Sequence, residues 1–370
     1  MIIELYVWGV NKLTCFLVLL NPIFIKIFQC CSFYQTPGLI DYNSKAPHHD
    51  NEIDYHAIYK YDVTLGNVIG SGMVSIVFDA TLNENGTHVV VKVKRKGIDK
   101  KLIRGCFVIQ QFISVCKWFN LYMFLFEIAF DQNISSIIDQ LDYRKEVANQ
   151  VRFKRLFPDA VVPTVIAYDD KVIIMQKLIG LDDCDKIPYA ESLVRLAIAN
   201  ILFGFMHSDL HGGNLLLMPN NQLGVIDFGV MIQFNSQETS CIISLLMSMN
   251  SDNHENITNV FLNKFITYNR EPKETERERL FVSINEVTKN LISRTGVGIN
   301  VSDLNKLNKI IRNYDATLKP FLCKCMLGLI AVESSLTDLN PNWSSLLFSV
   351  VKSLSEEITS LSEEITSLSD

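Results

Sequence analysis

HSDLHGGNLLLMPNNQLGVIDFG, residues 207–229, decides the reading of this chain. It sets an Asp, an Asn and a second Asp around two short apolar runs. Leu215, Leu216 and Leu217 form the first run, and Gly224, Val225 and Ile226 the second. Pro219, Asn220 and Asn221 supply a turn between them, so the stretch reads as a hairpin of two buried strands. Such a hairpin brings Asn214 and Asp227 to one end. An amide oxygen and a carboxylate placed there can hold Mg²⁺ on the phosphates of a nucleotide. Asp209 then lies one loop away, free to orient or deprotonate a nucleophile. A metal pair or two structural histidines are the other readings of His207 and His211.

The upstream sequence chooses among these readings. Residues 61–93 read as three antiparallel strands. IGSGMVSIVF, residues 69–78, makes the first turn. Gly70, Ser71 and Gly72 let the backbone approach a polyphosphate, and Ser75 stands where a third glycine would be. Val77 and Val90 would enclose an adenine. Glu84, Asn85 and Gly86 are a hairpin signal. Lys92 then follows three valines in mid-strand. A lone buried ammonium is costly, so Lys92 demands a partner. Glycine loop, strand lysine, HxD…N and DFG stand in the order found in protein kinases, a much stronger signal jointly than any one of them.

The basic run KVKRKGIDKK, residues 92–101, reads as a solvated loop after the strand, with an anionic membrane or phosphate contact as the other option. Residues 102–130 are almost continuously apolar. Lys117 and Glu127 interrupt them, which favours a buried helix pair over a membrane span. Residues 139–153 form a charged helix with an expected apolar stripe of Leu141, Val147 and Val151. Glu146 on that helix is the expected partner of Lys92. The pair would fix the ammonium on the α- and β-phosphates. Gln176, Lys177 and Leu178 follow a strand and are the expected hinge, meeting adenine through backbone groups. Residues 190–206 are the expected helix into the catalytic loop.

LDYRKEVANQVRF, VPTVIAYDDKVIIMQKLIG at 162–180 and HSDLHGGN together resemble the UbiB/ADCK family of atypical kinase-like proteins. That family carries HxDxHPGN where ordinary kinases carry HRDxKPxN. His207, Asp209, His211 and Asn214 are in place, and Gly212 replaces the proline. LTDLNPNW, residues 336–343, is similar to the family's Leu-Asp-Pro helix end, and the likeness runs over residues 60–345. Three departures stand out. No Lys-x-Gly-Gln occurs in residues 1–68. Gln140, Leu141 and Asp142 stand where the family has Glu-x-Asp. The family's Ala-rich loop is here Gly70, Ser71 and Gly72. In the family the missing parts occlude the protein-substrate groove, so their joint loss leaves room for phosphoryl transfer in trans. The resemblance implies ATP and Mg²⁺ as ligands and a link to quinone or membrane-lipid metabolism.

The expected fold is therefore α+β, protein-kinase-like and two-lobed, with a small antiparallel-sheet N-lobe at 60–178 and a mostly helical C-lobe at 179–345. No Ala-Pro-Glu triplet follows the DFG, so the usual peptide platform is not recognisable. With 370 residues, 48% hydrophobic, the chain is long enough for such a domain. A net charge of −6 gives no basic field for nucleic acid. Nine scattered cysteines, without zinc-ligand spacing, suit a reducing, cytosolic-type compartment. Residues 1–34 are an apolar segment, read as a membrane anchor or interfacial stretch, or else as a buried leader. Residues 35–59 read as a linker. The tail 346–370 repeats SLSEEIT with an a/d seam of Leu354, Ile358, Leu361, Ile365 and Leu368. That seam suits weak self-association through 347–368 or a frayed, domain-packed helix. Two function classes follow: a Mg-ATP-dependent kinase or ATPase, with Lys92, Glu146, Asp209, Asn214 and Asp227 as its working set, or a nucleotide-dependent scaffold at a membrane. Metal hydrolysis through His207, Asp209 and His211 is a third, and it leaves the glycine loop and Lys92 without a purpose.

Overall fold

The computed structural model describes residues 48–118, 134–249, 253–293 and 301–340, with scattered positions at 12–46 and 342–353. The chain divides into two compact units. Unit one comprises Met1–Leu181, Gly213–Met218 and Gly224–Met231; unit two comprises Asp182–Gly212, Pro219–Leu223 and Ile232–Asp370.

Unit one is built on a five-stranded antiparallel sheet in the order β1-β2-β3-β5-β4. Its strands are β1 (Val63–Ser71), β2 (Ser75–Leu82), β3 (His88–Lys94), β4 (Val165–Tyr168) and β5 (Val172–Gln176). Gly86 turns β2 into β3 at a φ of 68°, a left-handed conformation that glycine adopts without penalty. Alternation along β3 sends Val89, Val91 and Val93 to one face. There they pack with Ile76, Phe78, Val172 and Ile174. Val90, Lys92 and Lys94 go to the other face, so the valine run covers one layer while the lysines turn to the next. Ile53, Ala57 and Ile58 join the first layer. The stretch read as a linker is thus partly structural from Asp50 onward, because its apolar residues complete the sheet's open face.

The second layer contains α1 (Ile98–Trp118), a short α2 (Ile134–Asp139) and α3 (Tyr143–Leu156). Ile98, Leu102, Cys106, Ile109 and Ile113 of α1 pack with Met73, Val74, Tyr143, Val147, Ile173 and Met175. Val18 and Ile23 of the apolar N-terminal segment are buried in the same cluster, and Asn21 Nδ2 donates to Lys101 O at 2.8 Å. The expected buried helix pair is corrected in its first member: Ile103, Phe107, Val108, Phe112, Val115 and Trp118 of α1 are exposed. A single helix laid on a sheet buries only one stripe. Residues 119–133 lie outside the described residues.

The expected stripe of α3 is also corrected. Val151 is exposed, and the buried face is Tyr143, Glu146, Val147, Gln150 and Phe153. Two of those five are polar, and both are bonded: Gln150 Nε2 donates to Pro163 O at 2.6 Å. An apolar pattern cannot reveal a face held by polar side chains.

Unit two opens with α4 (Ile187–Leu202), with Pro188 in its first turn. The helix ends before the expected residue 206. Gly204 takes a φ of 59° and turns the chain into β6 (Phe205–His207). β6 pairs with β9 (Met231–Gln233), and β7 (Leu215–Leu217), which belongs to unit one, pairs with β8 (Leu223–Val225), which belongs to unit one from Gly224 onward. Asn220 and Asn221 take the left-handed conformation in the β7–β8 turn, which Asn tolerates better than most residues. The remaining elements are α5 (Ser236–Met249), α6 (His254–Phe265), β10 (Ile266–Tyr268), α7 (Glu274–Ser293), α8 (Val301–Arg312), β11 (Ala316–Leu318) and α9 (Pro320–Leu339). Among the described residues, α9 alone is long and apolar enough to cross a membrane, and 56% of its apolar window is buried in the fold. The heptad positions 354–368 lie outside the described residues.

Candidate nucleotide site

Lys92 stands at the centre of unit one. Its Nζ donates to Glu146 Oε1 at 2.5 Å and to Asp227 Oδ2 at 2.7 Å. β3 supplies the lysine, α3 the glutamate and the segment after β8 the aspartate. The lysine is 6% exposed and Glu146 4%, whereas Asp227 keeps 36% of its side chain open. Burial disfavours the charged form of Lys92. The Asp227 and Glu146 carboxylates outweigh that and hold it cationic. Burial pushes the Glu146 carboxyl above the usual range, and nearby Asp227 adds to the rise against the pull of Lys92. Two carboxylates share one ammonium, so the cluster carries a formal charge of −1 when all three are ionised.

The DFG segment is fixed on α3. Phe228 N–H donates to the Glu146 carboxylate, and Asn149 Nδ2 donates to Phe228 O at 3.1 Å. The Phe228 ring lies 5.1 Å from that of Phe153. Gly229 N–H donates to Asp227 Oδ1 at 2.8 Å. A Cβ on Gly229 would stand 3.2 Å from Asp227 Oδ1 and 3.8 Å from Glu146 Oε2, so glycine keeps the carboxylates' side clear. The backbone bond from Ile226 N to Asn214 O, 3.2 Å, closes the hairpin and brings Asn214 to the same end as Asp227.

The residues expected to surround a nucleotide lie on this sheet. Gly70 is opposite Val77, and Ser71 opposite Ile76; Val77 is opposite Lys92, and Val90 opposite Met175. Ser75 is buried and pairs with Lys94. Gln176 N–H is spent on Thr164 O at 2.8 Å, and Leu178 is half-buried just beyond it. Lys177 Nζ pairs with Asp79 Oδ2 at 2.9 Å, tying the hinge to β2.

Unit two carries His207, Asp209 and His211. His207 is buried; its N–H donates to Asn200 Oδ1 at 2.8 Å, and its Nδ1 accepts from Asp209 N at 3.2 Å. His211 Nε2 lies 3.9 Å from Asp209 Oδ2. Ser335 Oγ donates to Leu210 O at 2.8 Å, holding the loop on α9. Among the described residues no group of three His, Cys, Asp or Glu is arranged to hold a metal ion. One ring nitrogen of His207 is committed to the loop's own backbone.

Several residues of unit one were not anticipated. Asn149 and Phe153 hold Phe228, and Arg95, braced by Glu52, holds the turn at residues 71–74. Lys94 and Arg95 are buried, which corrects the reading of 92–101 as a solvated loop. Lys94 Nζ sits 5.8 Å from the Tyr143 ring centroid, and Arg95 Nη1 donates to Glu52 Oε2 at 2.6 Å. Upstream Glu52 gave no local signal of that pairing.

A strand lysine held by a helix glutamate and a DFG aspartate defines a protein-kinase-like site. The ABC1 atypical kinase-like domain matches residues 60–261, more than half of the chain, and the chain belongs to that family. An uncharacterised aarF domain-containing protein kinase from the chloroplast of Arabidopsis thaliana is 23% identical over 75% of this chain and 41% of its own length. A probable protein kinase UbiB of Marinobacter nauticus is 23% identical over 75% of this chain and 54% of its own. The chain thus spans about half the length of these two relatives. A Mycobacterium tuberculosis protein solved in complex with erythromycin aligns over 92% of this chain and 98% of its own, at 19% identity and a TM-score of 0.48.

Proposed function

We propose that this chain binds Mg-ATP and transfers the γ-phosphoryl group to an acceptor or to water. The observation that carries the reading is Lys92 bonded at once to Glu146 and Asp227. Lys92 and Glu146 are buried charges, costly unless paired, and the formal charges of Lys92, Glu146 and Asp227 sum to −1. The cluster's donors fit a small, hard divalent cation: Asp227 is an oxygen ligand with a third of its side chain open, and Asn214 offers an amide oxygen. When bound, Mg²⁺ would neutralise charge on the β- and γ-phosphate oxygens.

The chain's own residues do the rest in this reading. Lys92 orients the α- and β-phosphates, and Glu146 orients Lys92. Residues 70–75 line the polyphosphate side. Val77, Val90 and the backbone of Gln176 and Leu178 receive the base. Asp209, carried by unit two, accepts or directs the proton of the attacking hydroxyl. Membrane association through residues 1–34, a reducing compartment, weak self-association through 347–368 and a connection to quinone or membrane-lipid metabolism extend the proposal. The printed names of the relatives, chloroplastic in one case and UbiB in another, support an organelle or membrane setting alone.

The rival is a nucleotide-dependent scaffold. Titration with Mg-ATP and steady-state ADP release, on the full chain and on Asp209→Asn, separates the two. A general base acts mainly in the transition state, so its loss is expected to lower turnover by about 10²-fold or more with ATP affinity nearly unchanged. Wild type that binds Mg-ATP but releases ADP no faster than Asp209→Asn would leave the scaffold standing.

A further inference from the structure

We infer that Arg95 is a positioning residue for the nucleotide, holding the turn at residues 71–74 so that its carbonyls point away from the phosphates; this rests on the Mg-ATP reading above. A loop that cradles a polyphosphate must present N–H groups and turn its C=O dipoles elsewhere. Arg95 takes three acceptors from this one turn. Its N–H donates to Val74 O at 2.8 Å, its Nε to Gly72 O at 3.0 Å and its Nη2 to Ser71 Oγ at 2.8 Å. Ala46 N–H takes Ser71 O at 2.8 Å. The Gly72 N–H closes the turn on Ser75 O at 2.9 Å. The turn is therefore closed on itself and fastened to Arg95 at three points.

The arginine is itself fixed. It is 3% exposed, and Glu52 Oε2 accepts from Nη1 at 2.6 Å. Lys101 Nζ donates to the other Glu52 oxygen at 3.1 Å. Two cations against one carboxylate leave a formal charge of +1 beside the loop. Met73 and Val74 are buried in the apolar cluster with Ile98 and Leu102, so the far side of the turn is seated as well. A planar fork that joins three acceptors and a carboxylate is a task for Arg that Lys cannot reproduce.

The rival is that Arg95 merely fastens residues 48–58 to the sheet through Glu52. Phosphate dependence separates them. The full chain, Arg95→Gln, Arg95→Lys and Ser71→Ala are titrated with Mg-ATP and with adenosine, alongside thermal melts and steady-state kinetics. Arg95→Gln is expected to raise the Mg-ATP Kd about tenfold or more and to leave the adenosine Kd within about twofold, on the scale of lost charge-assisted hydrogen bonds. Arg95→Lys should fall between, and Ser71→Ala should weaken Mg-ATP alone by about two- to fivefold. KM for ATP should rise while kcat moves little. If Arg95→Gln fails to fold, Arg95→Lys and Ser71→Ala decide by the same criterion. Equal Mg-ATP affinity in wild type and variants overturns the inference, as does a parallel loss of adenosine affinity. Wild type that does not bind Mg-ATP overturns the nucleotide reading itself, and this inference with it.

Discussion

Lys92 and Arg95, near neighbours on one stretch of chain, are the buried cations of two ionic clusters of opposite formal sign. Lys92 faces Glu146 and Asp227 and leaves a formal excess of one negative charge. Arg95 and Lys101 face Glu52 and leave an excess of one positive charge. The two glutamates respond in opposite directions. Burial and Asp227 lift the Glu146 carboxyl above its ordinary value. At Glu52 burial also pushes upward, but the Lys101 hydrogen bond, the Arg95 charge and the His49 N–H prevail and hold it below. A salt bridge seen as a pair says little about function; the charge left over says which ligand the cluster can accept. In the proposed reading the first cluster takes a metal ion, and the second lies beside a phosphate.

The largest effect expected from breaking this comparison is at Lys92. Lys92→Ala would leave Glu146 buried without its cation. Removing one partner of a buried pair costs about 3–5 kcal/mol, and Mg-ATP binding should vanish with it. Adding Glu146→Gln should recover part of the stability and none of the binding, because it removes the stranded charge but restores no phosphate contact. Denaturant titration and calorimetry on the single and double variants check both statements. A single variant as stable as wild type would remove the first cluster from the account.

A smaller effect is expected at Glu52, where pH gives the sign. Its folded-state pKa lies below the ordinary 4.5, so the unfolded chain binds more protons in the window beneath that value. The stabilisation is present above about pH 4.5, the ordinary value, and is lost as pH falls through the depressed value. The difference in Tm between wild type and Glu52→Gln should therefore be widest near neutrality and shrink in acid. A difference that stays constant with pH would mean that Glu52 does not act through its charge.

The first cluster was largely legible in the sequence and the second was not. Lys92 declares itself, because an ammonium among valines needs partners. Glu146 and Asp227 followed from motif order and from the family likeness. Arg95 instead sits in a run of basic residues that reads as solvated, and Glu52 in a polar stretch that reads as a linker. Their meeting, 43 residues apart, depends on the path of the chain across the sheet's open face. The Val151 stripe failed for a related reason. The buried side of α3 is held by Glu146 and Gln150, which hydrophobic periodicity does not register. The β7–β8 hairpin, by contrast, was readable, since Asn220 and Asn221 carry the turn chemistry locally.

The central claim is that the cluster around Lys92, whose formal charges sum to −1, works with Mg²⁺ and a nucleotide. Titration of ATP into the full chain, with Mg²⁺ and with a chelator, on wild type and on Asp227→Asn, tests it most directly. Wild type is expected to bind ATP about tenfold more tightly or better with Mg²⁺ than without, and Asp227→Asn to lose that difference, because the metal's principal carboxylate ligand is gone. ATP binding that is indifferent to Mg²⁺ in wild type, or no binding at all, would contradict the account.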